Sequence, residues 1–321
     1  MMRTTFALAV VLTSATSLAL AEESRTVTDD LGRTVEIPAS PERIISLDDN
    51  SITLPLVDMG VALYGSAGRI KEDGTAFVRG LEETYGMSIA AGDLAFMGNQ
   101  WELDIETIAA AEPDFIIAGA YQSEMAEQLA ALAPTYFVEE KSEPWFIQNS
   151  IARAMGLEDE LAARKEGYEK RITDTIKTLS IDEGMTFSVL QPDEDGVWTY
   201  HGLYAITTVL EDLGMEPNDL TKELLEIGPD FGDKVSYERF QDLDADFVFV
   251  TYFTASDWGE PDWQIGHLEN FSEKWCDLLP ACAEGRLSLV PYEPAGAPTF
   301  AALNAALDLV SSQIATRMIA Q

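Results

Sequence analysis

Two stretches of this chain repeat one pattern: a short segment with apolar residues at helical spacing, a tight link, then Asp-Phe and an apolar run. The first spans residues 105–118 (IETIAAAEPDFIIA) and the second residues 237–250 (YERFQDLDADFVFV). Asp114 answers Asp246, and Phe115 answers Phe247. The closing run is apolar without alternation in both, as expected for a strand covered on both faces in an α/β layer. Two such units on either side of a long helical middle predict two similar α/β lobes. Ligands of open α/β sheets bind beyond the carboxyl ends of the strands. Lobes that face one another bring both sets of strand ends to one cleft, so the chain is expected to work as a clamp.

The start of the chain reads as an export signal over residues 1–21. Arg3 supplies the positive start, residues 6–12 an apolar core, and Ala19-Leu20-Ala21 a small-x-small cleavage site before Glu22. That apolar run is far short of the ~20 residues needed to span a bilayer. No cysteine follows the cleavage site, so no lipid anchor is expected there. The mature product is expected to be a soluble periplasmic protein, long enough for two medium domains. The full chain's formal net charge of −36 is spread along the sequence rather than gathered in a tail. Nucleic acid and anionic lipid surfaces are therefore poor partners. Solubility in a salty habitat explains such a charge; there the screening length falls to ~4 Å and the global field barely reaches a ligand. The only cysteines, Cys276 and Cys282, read as a structural disulfide in an exported chain. Closing so small a loop adds about 2 kcal/mol in the chain-entropy account.

Along the chain, residues 26–37 predict a β-hairpin turning at Asp30-Leu31-Gly32-Arg33. A first central strand follows at 43–47, a helix at 52–59 with Pro55 in its first turn, and a strand at 61–65. Gly65-Ser66-Ala67-Gly68-Arg69 reads as a loop at that strand's carboxyl end, residues 74–85 as a helix and residues 97–102 as a loop. A helix from Ser123 and a strand at 136–138 complete this lobe. Residues 144–179 are helical in pattern almost throughout, with Gly156 as a kink. The expected division is an N-terminal lobe over 22–143, an interlobe helix over 144–180 and a C-terminal lobe over 181–321. The second lobe is expected to hold strands at 186–191, 197–200 and 287–291, with helices at 206–213 and 299–319.

The opening TVTDDLGRTVEIPASPERIISL, then IETIAAAEPDFII, VLEDLGM at 209–215 and LPACAEGRLSLV before the last helix stand in the order seen in one family. Over nearly all of its mature length the chain resembles the periplasmic iron-complex binding proteins, the siderophore, haem and cobalamin receptors of ABC importers. The resemblance implies the class III periplasmic-binding-protein fold, two Rossmann-like α/β lobes joined by one long helix. It also implies an extracytoplasmic substrate-binding protein that captures a ferric siderophore in the cleft and delivers it to an ABC-type inner-membrane permease. A haem or cobalamin receptor is the alternative within the class, and a sensor that presents ligand to a membrane protein is a further one. A monomer with no intrinsic cofactor is expected. Members often carry a docking glutamate on the helix after the RIISL-like strand; here SITLPLVDMG offers only Asp58. Glu211 in VLEDLG is the corresponding candidate in the second lobe. A solvated helix face is the other reading of both.

A receptor for a broad, disc-like chelate needs aromatic walls and a few donors aimed at oxygens. The first lobe offers Arg69, Asn99, Gln100, Trp101, Tyr121 and Trp145; the second offers Tyr200, His201, Tyr204, Tyr252, Trp258, Trp263 and Tyr292. Arg69 either faces the ligand or pairs with one of the many acids. Trp101 and Tyr121 flank the first repeat unit at opposite ends, and Trp145 either reaches the ligand or packs under the connector. Tyr252 follows the second repeat strand as Tyr121 follows the first. His201 either touches ligand or ends a strand. His201 and His267 are the only histidines, too few for a histidine-rich site for a bare metal ion. With few basic residues near the expected cleft, a neutral chelate such as a trihydroxamate fits better than a highly anionic catecholate. A secreted enzyme is the competing class, but GxSxG, HExxH, the Walker loop and a GxGxxG after a strand are all absent.

Overall fold

The computed structural model describes residues 24–141, 145–179, 181, 184–228, 231–254 and 261–320; the expected export signal and Trp258 lie outside them. Both repeat units end in buried strands, Phe115–Gly119 and Phe247–Tyr252. Their aspartates do the same work in each lobe. Asp114 accepts the backbone N–H groups of Glu42 and Arg43 at 2.6 and 2.9 Å, just ahead of the strand Ile44–Ser46. Asp246 accepts the N–H and hydroxyl of Thr186 at 2.9 and 3.0 Å, where the strand Thr186–Asp193 begins. Each aspartate thus pins its own strand to the parallel strand beside it. The helical half is an α-helix in the first unit (Ile105–Ala110, capped by Asp104) and a 3-10 helix in the second (Tyr237–Leu243, capped by Ser236).

The N-terminal sheet runs Glu102–Leu103, Ala95–Asn99, Gly65–Ile70, Ile44–Ser46, Phe115–Gly119, Thr135–Val138, with Ala76–Phe77 paired to Gly65–Ile70. The C-terminal sheet runs Gly232–Val235, Gly196–Tyr200, Thr186–Asp193, Phe247–Tyr252, Leu287–Pro291, with Glu216–Pro217 paired to Thr186–Asp193. A leading hairpin, Ser24–Thr28 with Thr34–Pro38, is closed by Asp29 accepting the N–H of Leu31 and of Arg33.

Three local expectations are corrected. The second strand of the first lobe is Gly65–Ile70, so the segment read as a loop is strand. Its glycines mark close backbone approach rather than a turn: a Cβ on Gly65 would sit 2.7 Å from the Ala95 carbonyl oxygen, and one on Gly68 2.3 Å from that of Phe77. Residues 97–102 likewise belong mainly to the strands Ala95–Asn99 and Glu102–Leu103. Residues 74–85 hold the strand Ala76–Phe77 and a shorter helix, Leu81–Tyr85, entered through Gly80 at φ +76°.

Two helices fill the connecting region, Phe146–Met155 and Glu158–Leu179, separated where Gly156 takes φ +71°. The first packs on the N-terminal lobe through Tyr136, whose hydroxyl meets Ser150 at 3.1 Å and Arg153 at 3.0 Å. The second is ~33 Å long at 1.5 Å per residue and lies against the final helix, Phe300–Ala320, where Arg171 pairs with Asp308 at 2.6 Å. One apolar cluster runs from the hairpin through both connecting helices to the final helix and includes residues of both sheets.

Asp58 is not displayed on a helix face. Its side chain is 7% exposed, and it accepts the N–H groups of Phe300 and Ala301 at 3.0 and 3.2 Å. The Tyr85 hydroxyl donates to it at 2.9 Å, and Arg164 of the long helix lies 3.6 Å away. It therefore caps the final helix from the opposite lobe, with its oxygens used inside the protein. Cys276 and Cys282 are joined as a disulfide.

Candidate functional site

The first central strand, Ile44–Ser46, ends in the polar run Asp48-Asp49-Asn50-Ser51. Short polar side chains bend the chain here by bonding to nearby backbone. Asp48 accepts the Ser51 N–H at 2.8 Å, and the backbone enters a wide helical turn, Asp49–Thr53, that continues as the helix Leu54–Asp58. Asp49 points away from the cleft and is fully buried. It takes Arg79 in a fork, Nη2 at 2.6 Å and Nε at 2.8 Å, and Arg69 Nε at 3.2 Å. Its N–H donates to Gln100 Oε1 at 3.1 Å. Asp48 receives the Tyr121 hydroxyl at 2.9 Å, and the Tyr121 ring lies 4.9 Å from that of Trp101. Gly119 makes this possible, since a Cβ there would fall 2.3 Å from Tyr121 Cε1.

Burial, then the charges of Glu140 and Asp49, push the Asp48 carboxyl up to about 7, against the pull of Arg79 and Tyr121. For Asp49 burial acts upward too, but the charge and hydrogen bonds of Arg79, with Arg69 behind, hold its carboxyl below the ordinary range. Burial likewise opposes the charge of Arg79, and Asp49 outweighs it, keeping the guanidinium firmly protonated.

The opposite wall comes from the second lobe. Tyr204 opens the helix Tyr204–Asp212 at φ +30° and lies 5.9 Å from Phe231. Phe231 packs edge-on against Tyr200 at 5.3 Å, and Tyr292 is held between Tyr200 and Phe253. Together these groups enclose a cleft of about 240 Å³ between the lobes. Asp48, Asn50, Ser51, Arg79, Gln100, Trp101 and Glu140 line it from the first lobe, and Tyr204, Phe231, Tyr292 and Gly296 from the second. Ser51 from the first lobe and Tyr204 from the second line the same cleft, and burial raises the Tyr204 phenol well above its ordinary range.

Of the residues singled out from sequence, Trp101, Tyr204, Gln100 and Tyr292 line the cleft, and Tyr121 borders it through Trp101 and Asp48. Trp101 and Tyr121, from opposite ends of the repeat unit, are brought into contact. Arg69 sits behind the wall on Asp49. Tyr200 is buried beneath the rings, bonded to Gln191 at 2.9 Å, and His201 is buried beside it. Trp145 packs between Tyr168 and Phe300, at 5.4 and 5.3 Å, under the long helix. Tyr252 ends its strand beside Pro291, away from the lining. Trp263 stands edge-on to His267 at 4.4 Å on the helix Pro261–Phe271. Glu211 is exposed, next to an Asp212 that receives the Tyr168 hydroxyl. Sequence reasoning missed Asp48, Asp49, Asn50, Ser51, Arg79, Glu140 and Phe231. A polar run straight after a buried strand was signal enough for the first four; Arg79 carries none, because tertiary folding alone brings it to Asp49. Among the described residues no group of three or more His, Cys, Asp or Glu is arranged to hold a metal ion.

Comparison with known proteins places this geometry. Residues 79–258 match the family model described as periplasmic binding protein. The chain belongs to the periplasmic binding protein family. The probable siderophore-binding lipoprotein YfiY of Bacillus subtilis is 28% identical over 248 residues, 75% of this chain and 72% of its own. The Fe(3+)-citrate-binding protein YfmC of the same organism is 26% identical over 167 residues, 50% of each chain. Staphylococcus aureus SirA, solved with staphyloferrin B, superposes with a TM-score of 0.69 at 19% identity, covering 89% of this chain and 97% of its own. The petrobactin-binding protein YclQ of Bacillus subtilis gives 0.68 at 17% identity, covering 91% and 98%. At such identities the likeness is one of fold: the class III arrangement of two α/β lobes with a helical connector.

Proposed function

We propose that this periplasmic binding protein is the extracytoplasmic receptor of an ABC importer, capturing a ferric siderophore between its lobes and handing it to an inner-membrane permease. The observation that carries this is the cleft itself: flat rings from both lobes, Trp101 facing Tyr204, Phe231 and Tyr292, over a floor of polar groups. Such a lining suits a broad chelate with an apolar rim and oxygens near its metal. The iron is cargo, wrapped by its own chelator. Arg69 and Arg79 are both paired to Asp49, while Asp48 and Glu140 face the cavity. That balance favours a neutral or weakly charged chelate, such as a trihydroxamate, over a triply anionic catecholate. In this reading the protein acts as a monomer without catalysis, and the exposed Glu211 contributes to permease docking. The test is a tryptophan-fluorescence titration with ferric hydroxamate, ferric catecholate, ferric citrate, haem and cobalamin. Saturable submicromolar quenching by a ferric hydroxamate, absent with its iron-free form, is expected. Silence across the panel would remove the reading.

A further inference from the structure

We infer that the cleft holds a subsite for a cationic group of the ligand, an ammonium above all, between Asp48 and Glu140 and beside the ring of Tyr204. This deepens the receptor reading and rests on it. Glu140 stands on the cleft wall with no hydrogen bond or ion pair among the described residues. Asp48, 2% exposed, has the Tyr121 hydroxyl and the Ser51 N–H as donors, but no cation among the described residues bonds to it. The two arginines nearby are turned to Asp49, whose oxygens occupy both. Asp48, Glu140 and Tyr204 line the same cleft, and the charge of Glu140 helps to raise the Asp48 carboxyl. Arg79 on the same wall spends its hydrogen bonds on Asp49, so two acidic groups beside an aromatic ring make a cavity in which a cation is attracted by the charges and by the ring face.

Asn50 gives an independent sign that the cavity is built around a ligand. It is 5% exposed and lines the same cleft, yet its Nδ2 meets no acceptor among the described residues. A buried donor without a partner is costly and marks a missing acceptor. A ligand that brings an oxygen to Asn50 and an ammonium to the carboxylates satisfies all three groups at once. A chelate whose free end is a second carboxylate leaves Asn50 satisfied but meets repulsion from Asp48 and Glu140.

The experiment compares three forms of one linear ferric trihydroxamate: with a free terminal ammonium, N-acetylated at that end, and N-succinylated there. Each is titrated by calorimetry into the wild-type protein and into Glu140→Gln, an exposed position at which circular dichroism checks the fold. The ammonium form is expected to bind about tenfold more tightly than the acetylated form, with the succinylated form weakest. In Glu140→Gln the ratio between the first two should fall to about threefold or less. Equal affinities of the two forms for the wild type, or a ratio unchanged in the variant, would overturn the subsite while leaving the receptor reading intact. Saturable binding of none of the three would overturn both.

Discussion

At the scale of single residues, the site depends on where unlike neighbours in sequence are sent. Asp48 and Asp49 are adjacent, yet one faces the cleft with a carboxyl raised to about 7 and the other is locked ionised by two arginines. A carboxyl raised on folding contributes stability that is fully present below its ordinary value of ~3.9 and is lost as pH climbs through the folded value. The wild type should therefore lose this increment progressively between about pH 4 and pH 7. Asp48→Asn, which keeps an acceptor for Ser51 and Tyr121, should remove that part of the pH slope. Thermal unfolding of both proteins at the two pH values checks it, and identical slopes would count against the assignment. Gly119→Ala drives a methyl into the Tyr121 ring. It should cost about 1–3 kcal/mol in urea unfolding and weaken chelate binding by detaching Tyr121 from Asp48. The polar run at 48–51 was open to reading from sequence, because a charged cluster directly after a buried strand sits where ligands bind. Arg79 was not, since nothing local distinguishes a guanidinium that forks a buried carboxylate from one on the surface.

At the scale of elements, pattern served where burial is symmetric and failed where packing is by absence. The repeat units were legible because strands buried on both faces must be apolar throughout. Gly65–Ile70 was read as a loop because its glycines, which let Ala95 and Phe77 approach, resemble turn residues. The connecting region was read as one helix kinked at Gly156, whereas Gly156 separates two helices, Phe146–Met155 and Glu158–Leu179. Asp58 shows the limit best: in sequence it reads as a docking carboxylate or a solvated acid, and only the fold makes it the cap of a helix 242 residues away. Asp58→Ala should cost about 2–3 kcal/mol, combining a lost cap with a severed, mostly buried ion pair. Asp58→Asn, which still accepts from Phe300 and Ala301, should recover part of it. Equal stability of Asp58→Ala and wild type in chemical denaturation would contradict this role.

At the scale of the whole molecule, one apolar cluster spans both lobes and the helices between them, and Asp58 adds a polar tie across the same seam. Lobes joined in this way move little, so small-angle scattering with and without ligand should give radii of gyration within about 1 Å of each other. The central claim is that the cleft between the lobes is where a ferric chelate is captured. It is tested most directly by measuring the affinity for a ferric trihydroxamate in wild type, Trp101→Ala, Tyr204→Ala and, as a remote control, Ile227→Ala, which is 78% exposed outside the cleft lining. The two cleft variants should bind about 30-fold more weakly, the loss typical of removing an aromatic anchor, with the control unchanged. Wild-type affinity in both cleft variants would contradict the account.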